Sequence, residues 1–162
     1  MQELTRLSSR LAAHDVRFVI VGGLSVIMHG SALMTRDVDV VCALDAENLV
    51  RIHTALDKLH PVHRMTPAKL PFTRDQAMSG GLKYLYLTTD WGQLDCLGEV
   101  KGVGDYKACL GSSEILEIDG QSMHVLSIDA LIQAKRAMGR PRDLHAVLEL
   151  EAIRDQQRKS NS

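Results

Sequence analysis

Length, composition and the order of apolar patterns together predict a single α/β domain. The chain has 162 residues, of which 45% are hydrophobic and 24% charged, as in ordinary globular domains. Segments with apolar residues at helical spacing alternate with short, β-branched runs that end in turns. We therefore expect a mixed β-sheet flanked by helices, with the C-terminal helices packed on it.

The first half of the chain carries the clearest patterns. Leu4, Leu7 and Leu11 recur at helical spacing, and an apolar run stops at Gly22-Gly23, as a buried strand does before a tight turn. The predicted elements are a helix (3–14), a strand (17–21), a short helix (24–29), a strand (36–42) and a helix (45–58) that Asp45 can cap.

The second half begins with a segment that holds three prolines, residues 60–81, for which we predict a long loop with one short element. The elements predicted after it are strands (82–88, 93–97), a short helix (104–110), a hairpin (114–118, 121–125) and two helices (127–138, 141–154). We expect one domain over residues 1–155 and a disordered polar tail over 156–162.

Charge and composition exclude several classes of protein. The formal net charge of −1 argues against a polybasic nucleic-acid binder, although it allows a local basic patch. Three cysteines without a CxxC pair favour buried, reduced thiols and a reducing cytosol. No segment approaches the ~20 apolar residues that span a bilayer. These features predict a soluble, cytoplasmic protein without membrane contact.

Two acidic residues mark the predicted strand 36–42. Side chains alternate between faces along a strand, so Asp37 and Asp39 point the same way, with Val38 and Val40 on the other side. Neighbouring carboxylates repel each other and resist burial unless a cation offsets their charge, and Mg²⁺ prefers such oxygen ligands. The alternative is that both residues lie at an exposed strand edge, which the apolar flanks disfavour.

The turn after the first predicted strand can approach a phosphate. Gly22-Gly23 opens a helix there, which brings backbone N–H groups close to a ligand, and Ser25 can add a hydroxyl. Taken alone, a glycine pair after a strand is most often only a turn. Together with the acidic strand, it becomes a stronger indication of phosphate binding.

These residues resemble a known signature. Val21-Gly22-Gly23, His29-Gly30 and Thr35-Arg36-Asp37-Val38-Asp39-Val40 are similar to the motif of the nucleotidyltransferase superfamily, which has the fold of polymerase β. The resemblance is greatest to the small bacterial branch of AbiEii-type, toxin-like nucleotidyltransferases, and it is strong over about residues 16–43. It implies a nucleotidyltransferase core in which two Mg²⁺ or Mn²⁺ ions serve as cofactors.

The resemblance also requires a third carboxylate, from a later strand. Asp95 is the best candidate because it is an acid within an apolar, strand-like segment, where a lone charge is costly. The alternatives are a structural ion pair or a plain surface strand at Asp95, or Asp90 as the third acid, although Asp90 fits turn chemistry better. We therefore predict Asp37, Asp39 and Asp95 as catalytic residues and metal ligands.

Basic residues complete the expected site. The segment Lys135-Arg-Ala-Met-Gly-Arg-Pro-Arg-Asp-Leu144 resembles the one that closes the family's domain, and it implies that Lys135 approaches the triphosphate. With it we assign Gly22, Gly23, Ser25 and Arg36 to nucleotide binding. The loop 60–81 is locally basic through His63, Arg64, Lys69 and Arg74, and it can steer a phosphate-rich substrate or simply be solvated.

The function that follows from the resemblance is metal-dependent transfer of a nucleoside monophosphate. An NTP is the donor, pyrophosphate leaves, and the acceptor hydroxyl can belong to a small molecule, a protein or an RNA end. The alternative is a non-catalytic nucleotide-binding module, or one half of a toxin–antitoxin pair that acts with a partner protein.

Overall fold

The described residues, 2–162 of this computed structural model, form seven α-helices, nine β-strands and one 3₁₀ turn at Asp57–Leu59. The helices are Gln2–Ala13 (α1), Gly22–Met28 (α2), Ala46–Leu56 (α3), Arg74–Ser79 (α4), Tyr106–Gly111 (α5), Ile128–Met138 (α6) and Pro141–Ser160 (α7). The strands are Phe18–Val21 (β1), Val38–Cys42 (β2), Val62–His63 (β3), Tyr84–Thr89 (β4), Gly92–Leu97 (β5), Glu99–Val100 (β6), Gly104–Asp105 (β7), Ser113–Ile118 (β8) and Gln121–Leu126 (β9).

Seven of the strands form one mixed sheet in the order β3-β4-β5-β2-β1-β9-β8, while β6 and β7 pair separately. Strand β2 runs antiparallel to β1 and parallel to β5, and β1 runs parallel to β9. The acidic strand β2 therefore lies at the centre of the sheet, with β5 directly beside it. The predicted fold class, a mixed sheet with flanking helices, is confirmed.

The two faces of the sheet are covered by different helices. Val38 and Val40 of β2 belong to an apolar cluster with buried side chains of α1 and α3. Val19 and Val21 of β1 and Val41 of β2 pack on the opposite face, against buried side chains of α6 and α7. Because side chains alternate along a strand, Asp39 lies on this second face, near the C-terminal helices.

Two helices begin at a residue whose side chain caps the first turn. The Asp45 carboxylate accepts a hydrogen bond of 2.9 Å from the Asn48 backbone N–H at the start of α3. The Ser127 hydroxyl accepts one of 3.2 Å from the Ala130 N–H at the start of α6. Each bond satisfies a backbone donor that the first turn of a helix leaves without a partner.

Two regions differ from the prediction. The segment 60–81, expected to be a loop with one short element, contains both β3 and α4. The last helix continues beyond Arg154 to Ser160, so most of the expected disordered tail, 156–162, is helical. Charged and amide side chains of high helix propensity fill this stretch, and a helix can therefore continue there without a packed apolar face.

Candidate active site

The glycine turn and the acidic strand meet directly. Val21 and Asp39 are opposite one another in the pairing of β1 with β2, and Gly22 follows at once with φ +66°. A Cβ on Gly22 would collide with the Asp39 carboxylate, which lies against the glycine backbone. Glycine is thus needed here both for the backbone angle and for the close approach of the acid.

The remaining acids lie on either side of Asp39. Asp95 is its direct partner in the parallel pairing of β2 with β5, so both side chains project from the same face of the sheet. Asp37 stands two residues earlier, exposed, just before β2 begins. The structure therefore brings the three sequence-predicted acids to one end of one sheet face.

Arg64 is a member of this group that the sequence did not predict. Its Nη1 and Nη2 donate hydrogen bonds of 2.6 and 2.9 Å to Oδ1 and Oδ2 of Asp95. The sequence placed Arg64 in a basic loop, where we expected it to meet a phosphate-rich substrate or solvent. Its guanidinium instead occupies both oxygens of the third carboxylate.

Asp39 has the most perturbed acidity in the site. Burial first, and then the negative charges of Asp95 and Asp37, raise the pKa of its carboxyl to about 6, against the opposing effect of the positive charges of Arg64 and Lys135. The ionised form of Asp39 is therefore held in an environment that favours a neutral group. A bound cation would relieve that cost.

A cleft of about 210 Å³ opens beside Asp39, between the sheet and α6. Gly22 and Asp39 line one side of it, and Lys101, Lys135 and Met138 also line it. The rest of its lining is mainly aliphatic. A cleft with carboxylates, two lysines and an apolar wall suits a ligand that combines phosphates with an apolar ring.

Lys135 also contacts the turn between the last two helices. Its Nζ lies 3.8 Å from Oδ1 of the buried Asp143, whose Oδ2 accepts a hydrogen bond of 2.5 Å from Nε of Arg140. The Arg140–Asp143 pair caps the start of α7, and the Lys135–Asp143 contact joins the end of α6 to it. Lys135 thus stands between Asp143 and the cleft.

The other residues predicted to bind nucleotide are placed differently. The hydroxyl of Ser25 is buried and donates a 2.5 Å hydrogen bond to the carbonyl of Gly22, so it stabilises the turn. Gly23 faces Thr35, where an added Cβ would lie 3.1 Å from the hydroxyl. Arg36 is exposed next to Asp37.

The donor set fits a divalent metal only in part. Asp37 and Asp39 offer the hard oxygens that Mg²⁺ prefers, and the missing Cβ of Gly22 leaves Asp39 room against the backbone. Among the described side chains, however, no group of three or more His, Cys, Asp or Glu residues is arranged to hold a metal ion. Both oxygens of Asp95 already accept hydrogen bonds from Arg64.

Comparison with known proteins supports the fold. No protein-family model and no curated protein matches the chain. Among solved structures, it resembles a Thermotoga maritima protein assigned as a nucleotidyltransferase, with 17% identity over 98% of this chain and 92% of that one, at a TM-score of 0.51. The chain has a nucleotidyltransferase-like fold.

Two further similar structures are of proteins bound to an antibiotic or to its adenylylated form. The lincosamide antibiotic adenylyltransferase LnuA, bound to lincomycin, has a TM-score of 0.59 at 15% identity over 94% of this chain and 96% of that one. ANT(2″)-Ia, in complex with adenylyl-2″-tobramycin, has a TM-score of 0.55 at 12% identity over the whole of both chains.

No described helix is long and apolar enough to cross a membrane.

Proposed function

We propose that this protein is a nucleotidyltransferase that moves a nucleoside monophosphate from an NTP to an acceptor hydroxyl. One observation carries the proposal: the Asp39 carboxylate lies against the Gly22 backbone and directly opposite Asp95 on one sheet face. A glycine turn with acids beside it can place a triphosphate next to the groups that act on it.

The reaction forms one bond and breaks one. The acceptor oxygen bonds to the α-phosphorus, the bond from that phosphorus to the bridging oxygen breaks, and pyrophosphate leaves with the electron pair. The acceptor's proton passes to a base, for which Asp95 is the nearest candidate on the acceptor side. A divalent cation, Mg²⁺ or Mn²⁺, held by Asp37 and Asp39 would neutralise negative charge on the phosphates.

The remaining residues would bind the donor. The Gly22-Gly23 turn, which the buried Ser25 hydroxyl braces, presents backbone groups to the phosphates. Lys135 and the exposed Arg36 would attract the negative charge that develops on pyrophosphate. The apolar wall of the adjoining cleft is suited to the base of the nucleotide, since a nucleobase offers a flat, weakly polar face.

The acceptor would approach over β4, beside Asp95. Tyr86 is opposite Asp95 in the pairing of β4 with β5, and its ring stacks on Tyr84 at 4.8 Å. Tyr84 is 56% exposed, which is unusual for a large ring beside a set of acids. Such a surface suits a small hydroxylated acceptor with a ring, as in the two antibiotic-modifying neighbours. It suits a protein acceptor with a flat surface less well.

The test is incubation of the protein with each α-labelled NTP, Mg²⁺ or Mn²⁺ and cell extract, with detection of labelled acceptor and free pyrophosphate. Wild type should label an acceptor, and Asp39→Asn should not. Asp90→Asn is the matched control, since it removes a carboxylate from the β4–β5 turn, outside the site. Wild-type turnover by Asp39→Asn would refute the mechanism.

One observation favours a second function, a nucleotide-binding module without catalysis. Arg64 occupies both oxygens of Asp95, the carboxylate that should face the acceptor. This alternative predicts saturable NTP binding without pyrophosphate release in any extract. Membership of the AbiEii-type branch, and with it a toxin–antitoxin partner, stays a prediction from the motif.

A further inference from the structure

The Arg64–Asp95 ion pair is largely buried, unlike an ion pair on the protein surface. Only 23% of the Arg64 side chain and 18% of the Asp95 side chain are exposed. The two parallel hydrogen bonds match the fork of a guanidinium to both oxygens of a carboxylate. Such a pair holds its geometry far better than an exposed ion pair does.

The neighbouring strand fixes the guanidinium in this position. The Arg64 backbone N–H donates a 3.0 Å hydrogen bond to the carbonyl of Tyr86, which extends the pairing of β3 with β4. Nη1 reaches the Leu87 carbonyl at 3.4 Å, and the guanidinium carbon lies 5.6 Å from the centre of the Tyr86 ring. Arg64 is therefore held at both its backbone and its head group.

The negative charge of the three carboxylates has to be balanced, and Arg64 supplies part of the positive charge. Three carboxylates gather at this sheet end, and two divalent cations would be the usual way to balance them. A second cation at Asp95 would have to share oxygens that already accept hydrogen bonds from the guanidinium, and it would be repelled by the fixed positive charge beside it. Asp37 and Asp39 remain available for one cation.

We propose that Arg64 takes the place of a second metal ion, so that the site holds a single divalent cation at Asp37 and Asp39. This inference rests on the proposed function. Arg64 acts through Asp95 and is a positioning residue: it orients the carboxylate and supplies a permanent positive charge on the acceptor side. Arginine suits this role because it stays protonated at any physiological pH.

The experiment titrates the purified full-length chain with Mn²⁺ and counts bound ions by equilibrium dialysis and frozen-solution electron paramagnetic resonance. Wild type should bind one Mn²⁺ with the spectrum of an isolated ion. Arg64→Gln should bind a second ion, and because two ions in such a site lie about 4 Å apart, they should give an exchange-coupled spectrum. Neither readout depends on turnover.

Matched variants identify the second ion's ligand. Adding Asp95→Asn to Arg64→Gln should return the count to one, because it removes the oxygen that the second ion needs. Arg74→Gln, which removes an exposed arginine at the start of α4, should behave as wild type. If Arg64→Gln does not fold, Arg64→Lys keeps the charge without the two-oxygen grip, and it should admit the second ion more weakly.

The outcomes separate the inference from the function beneath it. Two exchange-coupled ions in wild type, with one lost in Asp95→Asn, would overturn the inference and leave the nucleotidyltransferase proposal standing. A single ion in both Arg64 variants would also overturn it. Wild type that binds no Mn²⁺ at millimolar concentration would overturn the metal site and the proposed function together.

Discussion

The proposed donor side of the site, at Gly22 and Asp39, and the proposed acceptor side, at Asp95 and Arg64, are built in different ways. On the donor side, Gly22 and Asp39 meet because β1 and β2 follow one another in the chain and pair directly in the sheet. On the acceptor side, Arg64 and Asp95 are 31 residues apart and meet only because β4 lies between β3 and β5. A local motif specifies the first arrangement, whereas the order of strands in the sheet specifies the second.

The two sides also differ in electrostatics. Asp39 has a pKa raised to about 6 and stands among negative charges, so its ionised form is poorly compensated. Asp95 is held by a guanidinium at both oxygens. A cation from solution would therefore relieve the unfavourable charge at Asp39, whereas Arg64 already supplies a positive charge at Asp95. The following predictions test that contrast.

The largest effect should separate the two acids by activity. Asp39→Asn should lower turnover by about 10³-fold or more, the scale of a lost preorganised electrostatic contact. Asp95→Asn should cost less, because the Arg64 charge remains beside the acceptor. Initial rates of pyrophosphate release at saturating NTP measure both variants. Equal losses would mean that the two sides are not electrostatically distinct.

The next effect concerns the contact of Gly22 with Asp39. Gly22→Ala should displace the carboxylate and lower activity by about 100-fold, as misplacement of a reacting group does. It should also destabilise the fold, by ~1–2 kcal/mol for the left-handed backbone and by ~1–3 kcal/mol more for the collision.

Gly81→Ala is the matched control for that substitution. Gly81 has a similar φ of +75°, against +66° for Gly22, but an added Cβ there has no neighbour within 4 Å. Gly81→Ala should therefore show the backbone strain alone and keep its activity. If both variants lose the same stability and the same activity in thermal melts and assays, the packing of Asp39 on Gly22 has no functional role.

The sequence was sufficient for the fold class and for the position of Asp39 beside the glycine turn. The alternation along the predicted strand 36–42 placed Asp39 opposite the buried valines, and the capping residue Asp45 marked the start of α3, as the structure has it. These features depend on residues a few positions apart. Asp95 was found as an acid in an apolar strand, and β5 lies beside β2 as expected.

The acceptor side could not be predicted in the same way. Strand β3 has only two residues, Val62–His63, too few to show a period, and three prolines around it indicate a loop. Without β3, nothing in the sequence brings Arg64 towards Asp95. An arginine in a basic loop has the same local pattern whether it faces solvent or a buried acid.

A smaller effect should measure how strongly the acceptor side is held. A double-mutant cycle with Arg64→Gln and Asp95→Asn should give a coupling free energy of about 1–2 kcal/mol, as expected for a half-buried, two-bond pair. The same cycle on Arg51 and Glu47, an exposed pair on α3, should give about 0.3–0.5 kcal/mol. Urea unfolding provides both values, and similar couplings would show that Arg64 is an ordinary surface arginine.

The smallest effect should appear in the pH dependence of stability on the donor side. The raised pKa of Asp39 means that the folded chain binds more protons than the unfolded chain between about pH 4 and 6. Stability from this group is therefore present below pH 4 and lost as the pH rises through 6. In EDTA, Asp39→Asn should be more stable than wild type at pH 7.5 by about 1 kcal/mol, since water screens the exposed part of the carboxylate. That corresponds to roughly 2–4 °C in melting temperature, and the difference should shrink towards pH 4.

Asp75→Asn, exposed on α4, is the control and should show no such trend. An advantage of Asp39→Asn that stays constant with pH would mean that the acid is not held in an unfavourable environment, and the donor side would then need no cation.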